Sequence, residues 1–394
     1  MFEGDAGELL RAPYPRFSPA EMRRRLDVAE QLCVEHRVEH LLAYSSSGVG
    51  GAVTWWTQWP VTREAALLLA PTGEGTLLIQ FYNHVPLARQ LAESVSVAWA
   101  GPETGTGVLG ELTKRGVRRL GVVGPLPWTM AHRVQATGVE LVDLTSAYVR
   151  ARLVKSEEEL TWMALAAHLG DTAVKVLETR VPGENERELG ARVEATFLPL
   201  GGVNGLHYFA VNSMDRPEYG VPRQHPSTRV IEEGDVVSTE ITVNFFDYGA
   251  QILRTFTVDA EPAALFRELH DVADEAFRRV ASLVRRGTPV EELVEAAGVI
   301  EEAGFTTIDD LVHGYGGGYL PPILGSRSRP HGSIPDFVLD TGMVLVVQPN
   351  VVTRDRRAGV QTGECLVVGE DGPRRLHRYP QGLRRMATPS PLLH

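Results

Sequence analysis

Glu240 and Gln251 are the first residues whose types and spacing could do chemistry. They lie in the stretch 234–258, GDVVSTEITVNFFDYGAQILRTFTV, in which apolar and polar side chains alternate. Such alternation predicts a half-buried strand, and a hairpin that turns back through FFD would set Glu240 opposite Gln251. Ser238 would share that face, with Arg254 close by. The pattern predicts a polar ligand site, although it also fits an ordinary solvated face of a sheet.

Two histidines add candidate acid–base groups. His313 precedes the glycine-rich turn 314–318, which predicts an imidazole at a strand end with backbone room for a ligand. His225 lies in a proline-rich loop. Because histidine changes its charge near neutral pH, either one could act as a general acid or base. A hydrogen-bonded structural role is the alternative for both, and His207 and His331 are weaker candidates.

Four segments in order resemble the family of methionine aminopeptidase, prolidase, aminopeptidase P and creatinase. In the first, a Gly-Asp pair precedes Glu240 by five residues, and Gln251 and an Arg-Thr-Phe sequence follow. The others are VHGYG at 312–316, GMVLVVQP at 342–349 and GVQTGECLVVGEDG at 359–372. The resemblance covers roughly residues 150 to 380. It implies a "pita-bread" fold of two similar halves with the site between them.

The resemblance also identifies the positions at which the family binds two divalent ions through four carboxylates and one histidine. In this chain these positions are Glu240, Gln251, His313, Gln348 and Gly363. Hard divalent ions need anionic oxygens to offset the loss of their water, so two glutamines and a glycine predict no two-metal site. Glu364, next to Gly363, leaves open a single ion on Glu240, His313 and Glu364.

Further departures from the family pattern also argue against a two-metal site. Leu320 stands where the family has a second histidine, and Arg223 stands at an upstream histidine position, with His225 two residues away. Creatinase shows that this scaffold can hydrolyse a C–N bond without metal. The resemblance therefore implies a hydrolase that uses neither metal nor cofactor and acts on a small amino-acid-like or amidino compound.

Roles follow for the polar residues of the expected site. The expected catalytic residues are His313, Glu240 and His225. Glu240 and Glu364 could bind a cationic group, Gln251 and Gln348 an uncharged polar group, and Arg223 or Arg254 a carboxylate. A structural ion pair is the alternative for Arg254. Three other functions remain open: a metal-dependent Xaa-Pro aminopeptidase or prolidase, a non-catalytic peptide-binding protein, and a lyase.

Composition limits the possible partners and compartment. The 394-residue chain has 39 basic and 50 acidic residues and a net charge of −11, which argues against nucleic acids and anionic membranes. No apolar run is long enough to span a bilayer, and the N-terminus has no readable signal peptide. With two cysteines, no disulfide framework is expected. These features favour a cytoplasmic protein that acts on a small molecule.

The remaining pattern predicts two domains. Residues 1–150 alternate short strand candidates with helices, which predicts an α/β domain after a loose arm at 1–15. This part resembles the N-terminal domain of creatinase and prolidase, which covers a neighbouring subunit's site, so a homodimer is expected. Trp55, Trp56 and Trp59 are interpreted as core residues, with a lid over a ligand as the alternative. Residues 151–394 predict an α+β domain in which helix, helix and hairpin occur twice, at 156–258 and 262–368.

Overall fold

The computed structural model describes residues 5–47 and 51–389. The chain forms two compact units, one at Arg11–Arg152 and the other from Leu153 onward together with the described start of the chain up to Leu10. The expected loose arm contains instead a short helix, α1, at Asp5–Arg11. No helix among the described residues is both long and apolar enough to cross a membrane.

The N-terminal unit is an α/β fold around one mixed sheet, as the sequence predicts. Its six strands lie in the order β4-β3-β2-β1-β5-β6, and β1 pairs parallel with β5 but antiparallel with β2. Ser18 caps the second helix by accepting a hydrogen bond from the Glu21 amide. The elements are α2 Pro19–Glu35, β1 His40–Ser46, α3 Ala52–Thr57, β2 Glu64–Leu69, β3 Gly75–Ile79, α4 Val85–Leu91, β4 Ser96–Trp99, α5 Thr104–Arg115, β5 Arg119–Val123, α6 Trp128–Gln135, β6 Glu140–Asp143 and α7 Thr145–Ala151.

The tryptophans of this unit are core residues. Trp55, Trp56 and Trp59 are all buried, and the indole N–H of Trp56 donates to the Arg25 carbonyl at 2.8 Å. Trp55 and Trp56 also pack against the ring of Tyr148. Burial of these large rings stabilises the unit, so the structure favours the core interpretation.

The C-terminal unit is built on a nine-stranded sheet whose main path is β11-β10-β12-β15-β9-β8-β7. Capping boxes at Ser156 and Asn185 start its first two helices. The elements are α8 Glu157–Lys175, α9 Glu186–Phe197, β7 Gly202–Ser213, β8 Asp235–Phe245, β9 Tyr248–Val258, α10 Ala264–Ser282, α11 Val290–Ala296, α12 Val299–Glu302, β10 Val312–Gly316, β11 Gly318–Leu324, β12 Val344–Val347, β13 Asn350–Val352, β14 Gly359–Gln361, β15 Gly363–Val368, β16 Pro373–Arg375 and β17 Arg384–Met386.

The central hairpin, β8–β9, differs from its prediction in two ways. Its loop is Phe246–Asp247, one residue later than expected, so Glu240 pairs with Leu253 while Gln251 pairs with Thr242. A register shift of two residues keeps each side chain on its predicted face. The strands are also buried on both faces, because α8 packs against them from one side. The polar side chains of the hairpin are therefore held away from bulk water.

Candidate functional site

Sheet order and register bring the expected site residues onto one face. Glu240 of β8 lies in a row with Leu253 of β9 and Gly363 of β15. His313 of β10 lies in a row with Val346 and Cys365. Paired residues project to the same side of a sheet, so these rows converge on one face. Five strands, β8, β9, β10, β12 and β15, thus contribute to this face.

Glu240, Gln251 and His313 form a hydrogen-bonded chain. The side-chain nitrogen of Gln251 lies 2.6 Å from Glu240 Oε1, and Gln251 Oε1 lies 3.1 Å from His313 Nε2. His313 Nδ1 then faces the Gly314 carbonyl oxygen at 3.1 Å. Gln251 and His313 are fully buried, whereas Glu240 keeps 6% of its surface exposed. Glu240 is therefore the least buried of the three and forms the end of the chain nearest to solvent, its solvent-facing end.

Two tyrosines complete the surroundings of His313. The ring of Tyr319 stacks on the imidazole, with ring centres 3.8 Å apart and planes 15° from parallel. Tyr315 meets the same imidazole edge-on at 5.6 Å. Tyr319 is 47% exposed, so it forms an aromatic wall between His313 and solvent. These contacts fix the orientation of the imidazole.

Burial makes Glu240 a weak acid. Loss of hydration raises the pKa of its carboxyl to about 8, and the nearby charges of Asp309 and Asp310 act in the same direction. The hydrogen bond from Gln251 only partly opposes this change. The pKa of Asp309 is also raised, mainly by its own burial. Glu240 therefore holds its proton at neutral pH.

His313 is not the open acid–base group that the sequence suggested. Burial lowers the pKa of its imidazole to about 4, although the Gly314 carbonyl, Asp310 and Gln348 oppose the shift. The ring is thus neutral near pH 7, with both nitrogens facing protein atoms. The expected backbone room for a ligand is not found at either ring nitrogen, because Gln251 faces one and the Gly314 carbonyl faces the other. The catalytic role of His313 stays a prediction.

Gln348 and Gly363 occupy the remaining predicted positions. The Gln348 side-chain amide donates to the Asp310 carbonyl at 3.2 Å, while its Oε1 is buried without a protein partner among the described residues. At Gly363, a Cβ atom would collide with the Val347 carbonyl and lie 2.8 Å from Gln348 Cα. The backbone therefore leaves no room for a side chain where the family pattern has a carboxylate.

Glu364 does not enter this site, and neither does Arg254. Glu364 pairs with Ile252 and Val347, whose side chains project to the opposite face of the sheet. There it forms a fully buried ion pair with Arg254 at 2.6 Å. Glu364 was expected to hold a cation and Arg254 a substrate carboxylate. Both expectations are corrected, because these two side chains bind each other.

The Arg254–Glu364 pair is well satisfied. Arg254 also donates to the carbonyls of Pro380, Leu253, Gly363 and Tyr379. Burial acts to raise the pKa of Glu364, but the Arg375 hydrogen bond and the Arg254 charge outweigh it and the pKa is lowered. Arg254 and Glu364 therefore form a structural ion pair, which was the alternative interpretation of Arg254.

The upstream candidates lie at the other edge of the sheet. Arg223 and His225 are exposed on the segment between β7 and β8, and the Arg223 guanidinium covers the Tyr219 ring at 3.5 Å. Within the described ranges, no hydrogen bond or ion pair joins either residue to Glu240 or His313. Their catalytic and substrate-binding roles remain predictions.

The weaker histidine candidates each lie beside a carboxylate. His207 lies 3.2 Å from Glu194, and His331 lies 3.3 Å from Asp310. Leu320, which stands where the family has a second histidine, is a buried apolar residue on β11 and pairs with Gly314.

Sequence reasoning missed Asp309 and Tyr319. Asp309 and Asp310 lie just before the VHGYG motif, separated from it by Leu311, and an acidic pair beside a predicted strand was a usable signal. Tyr319 follows the glycine turn, and only the β10–β11 pairing shows that its ring returns to His313. Both residues border the solvent-facing end of the hydrogen-bonded chain.

Comparison with known proteins agrees with the fold. The metallopeptidase family M24 model matches residues 161–370, more than half of the chain. An Xaa-Pro dipeptidase of Pyrococcus furiosus is 26% identical over 271 residues, which cover 67% of this chain and 75% of that protein. One from Pyrococcus horikoshii is 26% identical over 275 residues, covering 68% and 75%.

Solved structures show the same architecture across both units. An Xaa-Pro dipeptidase from Bacillus anthracis superposes with a TM-score of 0.79 at 20% identity, covering 93% of this chain and all of that one. The prolidase from Pyrococcus horikoshii OT3 has a TM-score of 0.78 at 20% identity, covering 91% and 99%. The predicted pita-bread fold is confirmed, and the chain belongs to metallopeptidase family M24.

Proposed function

We propose that this chain hydrolyses a C–N bond in a small amino-acid-like substrate, with Glu240 supplying the acid–base chemistry. The observation that carries this proposal is the protonated Glu240 carboxyl at the solvent-facing end of a buried hydrogen-bonded chain. Its placement supports proton donation to a substrate atom on the exposed side. Membership of a peptidase family supports the C–N bond as the target.

The donor set does not fit the metal ions that the family name implies. Among the described residues, no group of three or more His, Cys, Asp or Glu side chains could hold a metal ion. Of the five family ligand positions only Glu240 is a carboxylic acid, since Gln251 and Gln348 are uncharged and Gly363 has no space for a side chain. Divalent ions of the hard class need several anionic oxygens, which these five positions do not offer.

Glu240 can serve both halves of a hydrolysis. In one concerted displacement, the water oxygen bonds to the substrate carbon as the C–N bond breaks. The protonated Glu240 carboxyl donates its proton to the leaving nitrogen, and the carboxylate that results accepts a proton from the attacking water. A positioned acid–base group typically contributes about 10²–10⁴-fold in rate.

The surroundings of Glu240 favour a cationic substrate. Asp309 and Asp310 lie close enough to affect the Glu240 pKa, and Tyr319 presents an exposed ring beside them. An ammonium or amidino group would be attracted by the carboxylates and by the face of the tyrosine.

A metal-dependent Xaa-Pro dipeptidase is the second candidate, and the comparisons support it more directly than creatinase-like hydrolysis. Both curated relatives described above are named Xaa-Pro dipeptidases. The two candidates differ in what must occupy the site, so they predict different responses to chelation.

The experiment is a hydrolysis assay with Xaa-Pro dipeptides and amidino amino acids, with and without a chelator. We expect turnover that survives chelation and falls at least about a hundredfold in Glu240→Gln. Glu233→Gln, at an exposed position just before β8, is the matched control and should retain full turnover. Turnover that disappears with the chelator, or that persists in Glu240→Gln, would overturn the proposal.

A further inference from the structure

One dipeptide, Asn204-Gly205, combines an exposed side-chain amide with an unhindered backbone nitrogen. The sequence has six asparagines, and only Asn204 is followed by glycine. The other five precede His, Glu, Ser, Phe or Val, whose side chains shield the backbone nitrogen that follows the asparagine. Asn204 and Gly205 are both exposed on β7, at the edge of the nine-stranded sheet. Water and solvent base therefore reach both reacting groups of this dipeptide.

A β-bulge at Gly205 interrupts the pairing of β7 with β8. Asn204 pairs with Val243 and Leu206 with Thr242, so among the described strands Gly205 has no partner residue. A bulge disrupts the ladder locally, and the chain there is less tightly held than in a regular strand. A Cβ atom at Gly205 would lie 2.9 Å from Thr242 Cγ2 and 3.0 Å from the Thr242 carbonyl oxygen, so the bulge requires glycine. The same packing that requires glycine thus leaves its nitrogen open to reaction.

We propose that Asn204 is a site of spontaneous deamidation, with the Gly205 backbone nitrogen as the nucleophile. This nitrogen loses its proton to solvent base and bonds to the side-chain carbonyl carbon of Asn204. The bond from that carbon to Nδ2 breaks, Nδ2 takes up a proton, and ammonia leaves a cyclic succinimide. Water then opens the ring at either carbonyl and gives aspartate or isoaspartate. The reaction consumes only water, and its first step is favoured because both groups belong to neighbouring residues.

Glu194 of α9 makes the product differ in its contacts from the starting residue. Asn204 Nδ2 donates to Glu194 Oε1 at 2.9 Å, and His207 Nδ1 lies 3.2 Å from the same oxygen. Loss of ammonia removes this donor and places a second carboxylate beside Glu194, where like charges repel. Isoaspartate also adds a CH₂ group to the main chain of β7, on which α9 packs. Deamidation should therefore weaken the contact between α9 and β7.

Asn212 provides a matched control within the same strand. Its side chain is buried, its Nδ2 donates to the Tyr219 carbonyl, and its Oδ1 accepts from the Glu218 amide at 3.2 Å. Ser213, which supplies the next backbone nitrogen, pairs with Asp235. Asn212 should therefore keep its amide while Asn204 loses it.

The test is peptide mass spectrometry of the full-length protein after incubation in ¹⁸O-labelled water at mildly alkaline pH. Asn204 and Asn212 lie on the same tryptic peptide, because no Lys or Arg separates them. We expect conversion of amide to acid, with one heavy oxygen incorporated, at Asn204 and no measurable conversion at Asn212. Electron-transfer fragmentation should show isoaspartate as well as aspartate at position 204. In Asn204→Ser, which lacks the amide, the signal at this position should disappear.

A synthetic peptide of residues 198–210 establishes that the conditions permit the reaction. An intact Asn204 in the folded protein, under conditions that deamidate this peptide, would overturn the proposal. Equal conversion of Asn204 and Asn212 in the folded protein would also overturn it, because the bulge and the exposure of Asn204 would then have no effect.

The effect on the α9–β7 contact has its own measurement. Ion exchange separates the converted protein, since conversion adds one negative charge, and urea unfolding compares it with fresh protein and with fresh Asn204→Asp. The converted protein should have the lowest urea midpoint, because isoaspartate changes the main chain whereas Asn204→Asp changes only the charge. Equal midpoints for all three proteins would overturn the proposed weakening of this contact.

Discussion

Replacing Glu240 by Gln should remove a specific part of the pH dependence of stability. The folded protein holds the Glu240 proton up to a pKa of about 8, whereas the unfolded chain releases it near the ordinary value of 4.5. The stability that this proton contributes is complete below 4.5 and is lost as pH rises through 8. The native protein should therefore lose stability with increasing pH across this interval.

The titration of His313 limits the pH range in which the contribution of Glu240 to stability can be measured separately. Burial lowers the pKa of its imidazole from 6.5 to about 4, so His313 makes the protein more stable as pH rises between these values. Above pH 6.5 only the Glu240 contribution of this pair remains. At about 1.4 kcal/mol per pH unit, the interval from pH 6.5 to 8 should cost the native protein about 2 kcal/mol.

The assay is urea unfolding at both ends of this window for the native protein, Glu240→Gln and Glu233→Gln. The native protein and Glu233→Gln should lose about 2 kcal/mol more than Glu240→Gln on going to the higher pH. Parallel pH dependence in all three proteins would refute the argument, because it would mean that Glu240 does not hold an extra proton in the folded state.

Three further predictions concern stability, metal binding and assembly. Arg254→Met leaves Glu364 without its fully buried partner and should lower the free energy of unfolding by about 3–5 kcal/mol, whereas the exposed Arg278→Met should change it by less than about 1 kcal/mol. Equal effects in urea unfolding would contradict the structural role of the pair. Gly363→Glu should destabilise the protein without creating a metal site, because a side chain there meets the Val347 carbonyl. Stoichiometric binding of Zn²⁺ or Mn²⁺ to a stable Gly363→Glu variant in calorimetry would contradict this prediction. The resemblance of the N-terminal unit to that of creatinase leads us to expect a homodimer, and a monomeric mass in light scattering at micromolar concentration would argue against it.

Local sequence patterns predicted the elements of the site well. Alternation over 234–258 correctly predicted both strands of the hairpin, and Glu240 and Gln251 do contact each other. The exact loop was one residue off, but a strand's period of two kept the predicted face. Motif order predicted that His313 and Gln348 would reach the same site, and both border it.

Properties that depend on long-range packing were not predictable in this way. Glu364 is next to Gly363 in sequence, yet adjacent strand residues project to opposite faces, and Arg254 was already on the other face to receive it. The burial of His313 depends on Tyr319, which only the β10–β11 pairing returns to the imidazole. For the same reason, the pKa of about 8 at Glu240 could not be inferred from its place in the strand.

The central claim is that this member of family M24 works without bound metal, and elemental analysis tests it most directly. Protein grown in metal-replete medium and purified without chelators should contain well under one tightly bound divalent ion per chain, and Glu240→Gln should contain no less than the native protein. One or two stoichiometric ions that disappear in Glu240→Gln would contradict the claim and assign the site to a metal-dependent Xaa-Pro dipeptidase.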